Sequence, residues 1–339
     1  MSLLAALVFH EVQMSESSVP ASPVAPRGWK SFTEELSLIW RRMPNRAVFL
    51  GLLGAWVVLF VYLGNSTLGY EHSPSLLWWL YRTYTVPNSE DSHGLLVPLI
   101  VLALFWWKRK ALLEVVGDVW GPGLGLLAAA TALHVIGYMI QQPRVSVVAF
   151  LGGVWALLAT AWGRRFAVAS LFPFGLLIFC IPVGTISDPI TVPLRRISTD
   201  IAVAVVRYGL GIHVLQTGVQ IVDPKGAYSY EVVAACSGIR SLVTLLALTT
   251  IYGFTTFVTG WKRALMVVLA LPLALAGNVV RLVAIILAAE AFGHRAGELV
   301  HEYMGFVTFV LALLLLFAIG HWLREPDSAA GPPGQGRRP

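Results

Sequence analysis

Apolar residues run in long stretches along this chain, broken by short segments that hold most of its charge. Taking each stretch near 20 residues as a helix that crosses a membrane, the pattern predicts spans at about 47–63, 93–107, 121–140, 146–162, 166–184, 239–258, 264–288 and 303–323. The second and fourth are short. The expected fold is an all-α integral membrane protein of about eight transmembrane helices.

The interval 184–238 follows a different pattern. Residues 187–210 set Ile197, Ile201, Ala204, Val205 and Tyr208 at helical spacing, with Arg195, Arg196 and Asp200 between them. That predicts an amphipathic helix lying on the outer surface. Next, "HVLQTGVQIVDPKGAYSYEVV" carries β-prone residues on both sides of "DPKG". Pro224 at the second position and Gly226 at the fourth suit a type I turn. A short hairpin is expected to return the chain to the membrane before span 6. Residues 1–46 read as a largely disordered cytoplasmic arm, 47–323 as one polytopic membrane domain and 324–339 as a disordered tail. The opening "MSLLAALVFHE" lacks the basic region of a secretory signal, and Met14 is an alternative start.

Composition agrees with the pattern. With 57% hydrophobic and 12% charged residues and a mean hydropathy of +0.73, the chain is too apolar for a soluble domain. A net charge of +6 raises the prospect of nucleic acid, but the distribution of the charge argues for membrane lipid instead. Arg41, Arg42 and Arg46 precede span 1. Lys108, Arg109 and Lys110 follow span 2, Arg164 and Arg165 span 4, Lys262 and Arg263 span 6, and Arg324, Arg337 and Arg338 span 8. These positions share one side if the spans alternate, and the short loops opposite hold only Arg82, Arg144 and Arg295. By the positive-inside rule both termini are cytoplasmic, and 64–92, 184–238 and 289–302 face outward. No internal repeat, Gly-rich phosphate loop or zinc-type His/Cys spacing is present, so no cofactor or metal is expected.

Candidate chemistry begins at "EVVAACSGIR", residues 231–240, where a cysteine sits at the start of span 6. A helix N-terminus and a nearby cation lower a thiol pKa. Ser237 would open the helix, and Arg240 lies close by. Cys236 therefore reads either as a reactive thiol or as a small buried residue. Cys180, in "LLIFCIPVG", has only apolar neighbours and reads as structural, although both cysteines lie toward the outer side and a disulfide between them stays open.

A nucleophile needs a base and a group that holds developing negative charge. Asn278 and Arg281 in "GNVVR" share a helix face. An arginine inside a span costs about 2.5–3.5 kcal/mol, which favours function, while snorkelling to the outer interface is the alternative. His301 opens span 8 from outside, with Gly305 one turn on, and histidine titrates near neutrality. His93 stands at the outer mouth of span 2, two residues after Asp91. His134 and His213 have no such company and read as structural. Cys236, Arg281, His301 and His93 come from four spans and point to one outer side, so one shared site is the economical reading.

Those residues resemble the exosortase/archaeosortase family. "ACSGIRSL" at 235–242, "NVVR" at 278–281 and "HEYMG" at 301–305 occur in its order, and "SHGLLVPLI" at 92–100 resembles its upstream segment. The likeness covers roughly residues 47–323. It implies a multi-pass cysteine peptidase and transpeptidase of the bacterial inner membrane. Its partners would be exported proteins with a C-terminal sorting signal: a short motif (Pro-Glu-Pro in one branch), a membrane helix and a basic cluster. Carried over, Cys236 is the nucleophile, Arg281 the essential arginine and His301 the essential histidine, with Asn278 orienting Arg281 and His93, Arg240 and Ser237 supporting. Two rivals remain at this level. A transporter would also bury an arginine, but it typically carries internal repeats. A membrane acyltransferase or intramembrane protease would rely on an outer-face His or Ser.

Overall fold

The computed structural model of the chain describes residues 29–64, 74–87, 89–224, 226, 228–231 and 239–324. Eleven α-helices run through these residues: α1 (Trp29–Arg42), α2 (Arg46–Tyr62), α3 (Leu76–Thr85), α4 (Val97–Trp107), α5 (Arg109–Glu114), α6 (Pro122–Met139), α7 (Pro143–Gly175), α8 (Asp188–Ala204), α9 (Ile239–Thr256), α10 (Gly260–Phe292) and α11 (His294–Trp322). Proline stands in the first turn of α4, α6, α7 and α8, where its missing N–H has no helical partner to lose. A helical membrane protein is the result, as the apolar runs predict.

Among the described residues, four helices are long and apolar enough to cross a membrane: Pro122–Met139, Pro143–Cys180, Gly260–Phe292 and His294–Trp322. A fifth is added if Phe32–Arg42 and Arg46–Tyr62, bent by 97°, count as one. This is fewer than the eight expected. One reason is length, since the apolar helices Ser92–Trp107 and Leu242–Thr256 are short. The other is that the two spans expected between 146 and 184 join into one helical segment. Gly163 interrupts that segment with φ 90° and ψ 165°, and Trp155 Nε1 donates to Ala167 O at 3.2 Å across 12 residues. Twelve residues of straight helix cover about 18 Å, beyond an indole's reach. The chain therefore folds back at Gly163. Glycine is needed there because φ is positive and a Cβ would meet Asp118 O at 3.1 Å.

The basic segments gather at one end of the bundle. Trp162 Nε1 donates to Pro44 O at 3.0 Å, and Gly117 N to Trp162 O at 2.9 Å. Arg109 pairs with Glu35 of α1 at 2.7 Å. Lys108 lies 5.1 Å over Phe172, which stacks on Phe254 at 5.0 Å, and Arg263 lies 5.3 Å over Phe254. Lys262 Nζ donates to Leu323 O at 2.8 Å. At the far end, His134 Nε2 meets Leu63 O at 2.9 Å, Arg144 Nε donates to Pro182 O at 2.7 Å, and Val183 N donates to Asp91 Oδ1 at 2.9 Å. The His134 contact gives that ring the structural role expected of it.

A small cap covers the far end of α10. It comprises α8, a π turn at Val205–Gly209, and three strands, β1 (Leu215–Thr217), β2 (Gln220–Val222) and β3 (Ser229–Glu231), paired antiparallel in that order. Gly226 N donates to Asp223 O at 2.9 Å, closing the "DPKG" turn between β2 and β3. The expected hairpin gains a further strand because Gly218, at φ +63°, reverses the chain once more. Val203, Val206, Ile221 and Tyr228 pack on Ile286 and Ala289 of α10.

The expected apolar stripe of α8 points away from the protein. Ile197, Ile201 and Val205, together with Ile190 and Tyr208, are exposed, while Thr191, Ser198, Thr199, Ala202 and Val203 are buried against the bundle. Apolar residues turned outward on a helix that carries Arg196 and Asp200 beside them suit a membrane surface.

Candidate functional site

The helix pair α10–α11 carries three of the expected site residues, Asn278, Arg281 and His301. The pair is antiparallel, tied by Lys262 to Leu323 at the basic end and reversed at Gly293, φ +87°, at the other. At 1.5 Å per residue, Asn278 lies about 27 Å and Arg281 about 31 Å along α10 from Gly260. A hydrocarbon core is about 30 Å thick. Both residues thus fall where the far membrane surface would lie if the basic end marks the near one.

Arg281 and His301 meet there. Arg281 Nη2 donates to the backbone carbonyl of His301 at 2.9 Å. The guanidinium lies against Gly305, where a built Cβ would sit 3.5 Å from Cζ and Nη1. Glycine one turn beyond His301 therefore gives the flat guanidinium a surface to lie on, and both Arg281 and His301 are half-buried.

Below the pair, toward the basic end, a pocket opens between α9, α10 and α11. Leu245, Leu273 and Phe309 form its apolar part, and Gly277, Asn278, Arg281 and Thr308 its polar rim. Asn278 is 4% exposed. Neither its Nδ2 nor its Oδ1 has a hydrogen-bond partner among the described residues. Asn278 is expected to orient Arg281; its amide makes no hydrogen bond to the guanidinium, and the two side chains line the same pocket. Leaving such a group unpaired costs about 1–3 kcal/mol. Thr308, which sequence reasoning missed, commits its hydroxyl to Met304 O at 2.8 Å. Its signal was its place on the face of α11 that also holds His301 and Gly305.

Cys236 and Ser237 lie outside the described residues. Arg240 falls in the first turn of α9, with its side chain likewise outside them. His93 is buried in a 3-10 turn, Ser92–Leu95, that packs on α3, on residues 176–180 and on α9. Helix α9 also packs on α10 and α11, so it touches both the His93 turn and the helix pair that carries Arg281 and His301. Asp91, two residues before His93, serves as acceptor for Val183 N. Cys180 is a buried free thiol whose Sγ faces Gly94 O at 3.8 Å, and the Tyr84 hydroxyl donates to its carbonyl.

These features define a polytopic helical membrane protein with an arginine–histidine site where two long spans reach one surface. A family model described as transmembrane exosortase matches residues 78–318. The match covers well over half of the 339 residues, and the chain belongs to that family. No curated protein and no solved structure matches it.

Proposed function

We propose that the protein is a membrane-embedded cysteine peptidase and transpeptidase that cuts exported proteins at a C-terminal sorting signal. The observation that carries the reading is Arg281 held against His301 at one end of the bundle, in a chain whose residues 78–318 match the family model. In this reading all eight apolar segments cross the inner membrane. The basic end faces the cytoplasm together with both termini, and the cap and site face the periplasm. The fold-back at Gly163 supports the count, and the clustering of basic segments supports the orientation.

The chemistry runs in two halves. The Cys236 thiolate attacks a substrate carbonyl near the outer surface, Arg281 stabilises the oxyanion, and His301 protonates the leaving amine. The acyl group stays on Cys236 as a thioester. Water or an amine, deprotonated by His301, then attacks the thioester and releases the thiolate. Arg240 and Ser237 favour the thiolate at the helix start, and His93 contributes from the neighbouring turn.

Mass spectrometry of exported proteins supplies the test. Cells with the active enzyme should accumulate proteins that end in new C-termini just before an apolar helix and a basic tail, and cells carrying Cys236→Ala should keep those tails intact. Identical C-termini in the two strains would sink the reading.

A further inference from the structure

Asn278 is a buried amide with an unspent donor and an unspent acceptor, facing a pocket next to the reactive residues. It makes no hydrogen bond to its neighbours among the described residues: the Thr308 hydroxyl bonds to its own helix, and Leu245, Leu273 and Phe309 are apolar. A carboxamide presents C=O and N–H₂ side by side. Its natural complement is a group with N–H and C=O side by side in return. A residue in extended conformation has that arrangement, because its own N–H and C=O point the same way, as they do where two antiparallel strands exchange paired bonds. A helical residue does not, since both groups are used within the helix.

We infer that Asn278 and its pocket form a subsite that binds one unwound, extended residue of the substrate, pairing both backbone groups while the apolar wall takes the side chain. This rests on the proposed function. Asn278 lies one turn deeper than Arg281, on the basic side. A substrate whose membrane helix enters from the far surface therefore presents to it a residue C-terminal to the cut bond. The substrate must unwind the first turn of its own membrane helix to be cut. Unwinding is a selection step, because a segment that stays helical there offers Asn278 no partner.

Asn278→Leu tests the subsite in two ways, because leucine keeps the shape and removes both polar atoms. The first needs no substrate: the purified protein in detergent should melt several degrees higher than wild type, because an unpaired buried amide is replaced by an apolar group. A lower melting temperature would mean that the amide is paired structurally, and it would overturn the inference. The second measures processing of a peptide that copies a cleaved segment, with KM expected to rise about tenfold or more and labelling of Cys236 by a thiol reagent unchanged. Replacing the N–H of the second residue after the cut with an ester oxygen, which leaves the scissile amide intact, should weaken the wild-type enzyme and leave the variant indifferent. Unchanged KM in Asn278→Leu, or equal sensitivity to the ester in both proteins, would overturn the subsite. Loss of processing in Cys236→Ala fixes whether the underlying reading holds, independently of either result.

Discussion

Arg281 of α10 donates to the backbone carbonyl of His301 on α11, 2.9 Å away. The bond goes to the carbonyl and uses one N–H of the planar guanidinium fork, a geometry that suits an oxygen acceptor. A lysine has no fork. Arg281→Lys is therefore expected to lose nearly as much activity as Arg281→Ala, on the order of 100-fold or more, as for removal of an oxyanion donor. Substrate turnover with matched protein levels in membranes checks this, and near-normal turnover in the lysine variant would reduce Arg281 to a generic charge.

The two cysteines should separate cleanly. Cys236→Ala is expected to abolish processing without loss of membrane insertion. Cys180 is buried among Val97, Val101 and Leu176, so Cys180→Ala should cost only about 1 kcal/mol of stability and leave most activity. Immunoblots of substrate processing and of enzyme level read out both. Equal loss in the two variants would indicate a packing role or a disulfide.

Gly305 offers a graded test of the guanidinium's seat. A Cβ there stands 3.5 Å from Arg281, an ordinary contact, so Gly305→Ala should retain activity and gain up to about 1 kcal/mol of helix propensity. Gly305→Leu should displace Arg281 and lower activity at least tenfold. If leucine is tolerated, the guanidinium does not work from this position.

The cap should weaken in alkali. Burial first, and Glu290 next, raise the Tyr228 pKa above its ordinary value of 10.0, and its hydroxyl donates to Glu290 Oε2 at 3.2 Å. The folded state therefore holds this proton more tightly than the unfolded state. The stabilisation is complete below pH 10 and is lost as pH rises through and beyond it. Limited proteolysis of the cap from pH 8 to 11 should show the loss, and Tyr228→Phe should blunt it. An unaltered profile in the phenylalanine variant would remove Tyr228 as the cause.

Sequence legibility varied with the size of the signal. The apolar runs located all the long helices, because a run of twenty apolar residues has few alternatives. Their ends were less visible: α10 and α11 reach Phe292 and His294 because residues near Glu290 and Arg295 stay helical beyond the apolar stretch. The strand β1 is three residues long, too short for a periodic signal. Charge asymmetry led to the expectation that Arg281 and His301 share one side, and the two meet between α10 and α11. It could not foretell that the contact is to a main-chain oxygen, nor that the Asn278 amide has no hydrogen-bond partner among the described residues, since both depend on rotamers rather than on spacing.

The outward stripe of Ile190, Ile197 and Ile201 on α8, continued by Tyr208 of the π turn, would act as a float on a membrane surface. Ala202 of this helix packs on Leu282, the residue next to Arg281, so the height at which the stripe rode on the lipid would set the height of the guanidinium. A bilayer with longer acyl chains would raise the float relative to the basic end, and a thinner one would let it sink; each mismatch costs a fraction of a kcal/mol per Å. Reconstitution in lipids of graded chain length should then tune turnover through immersion depth, with no change in any residue of the site.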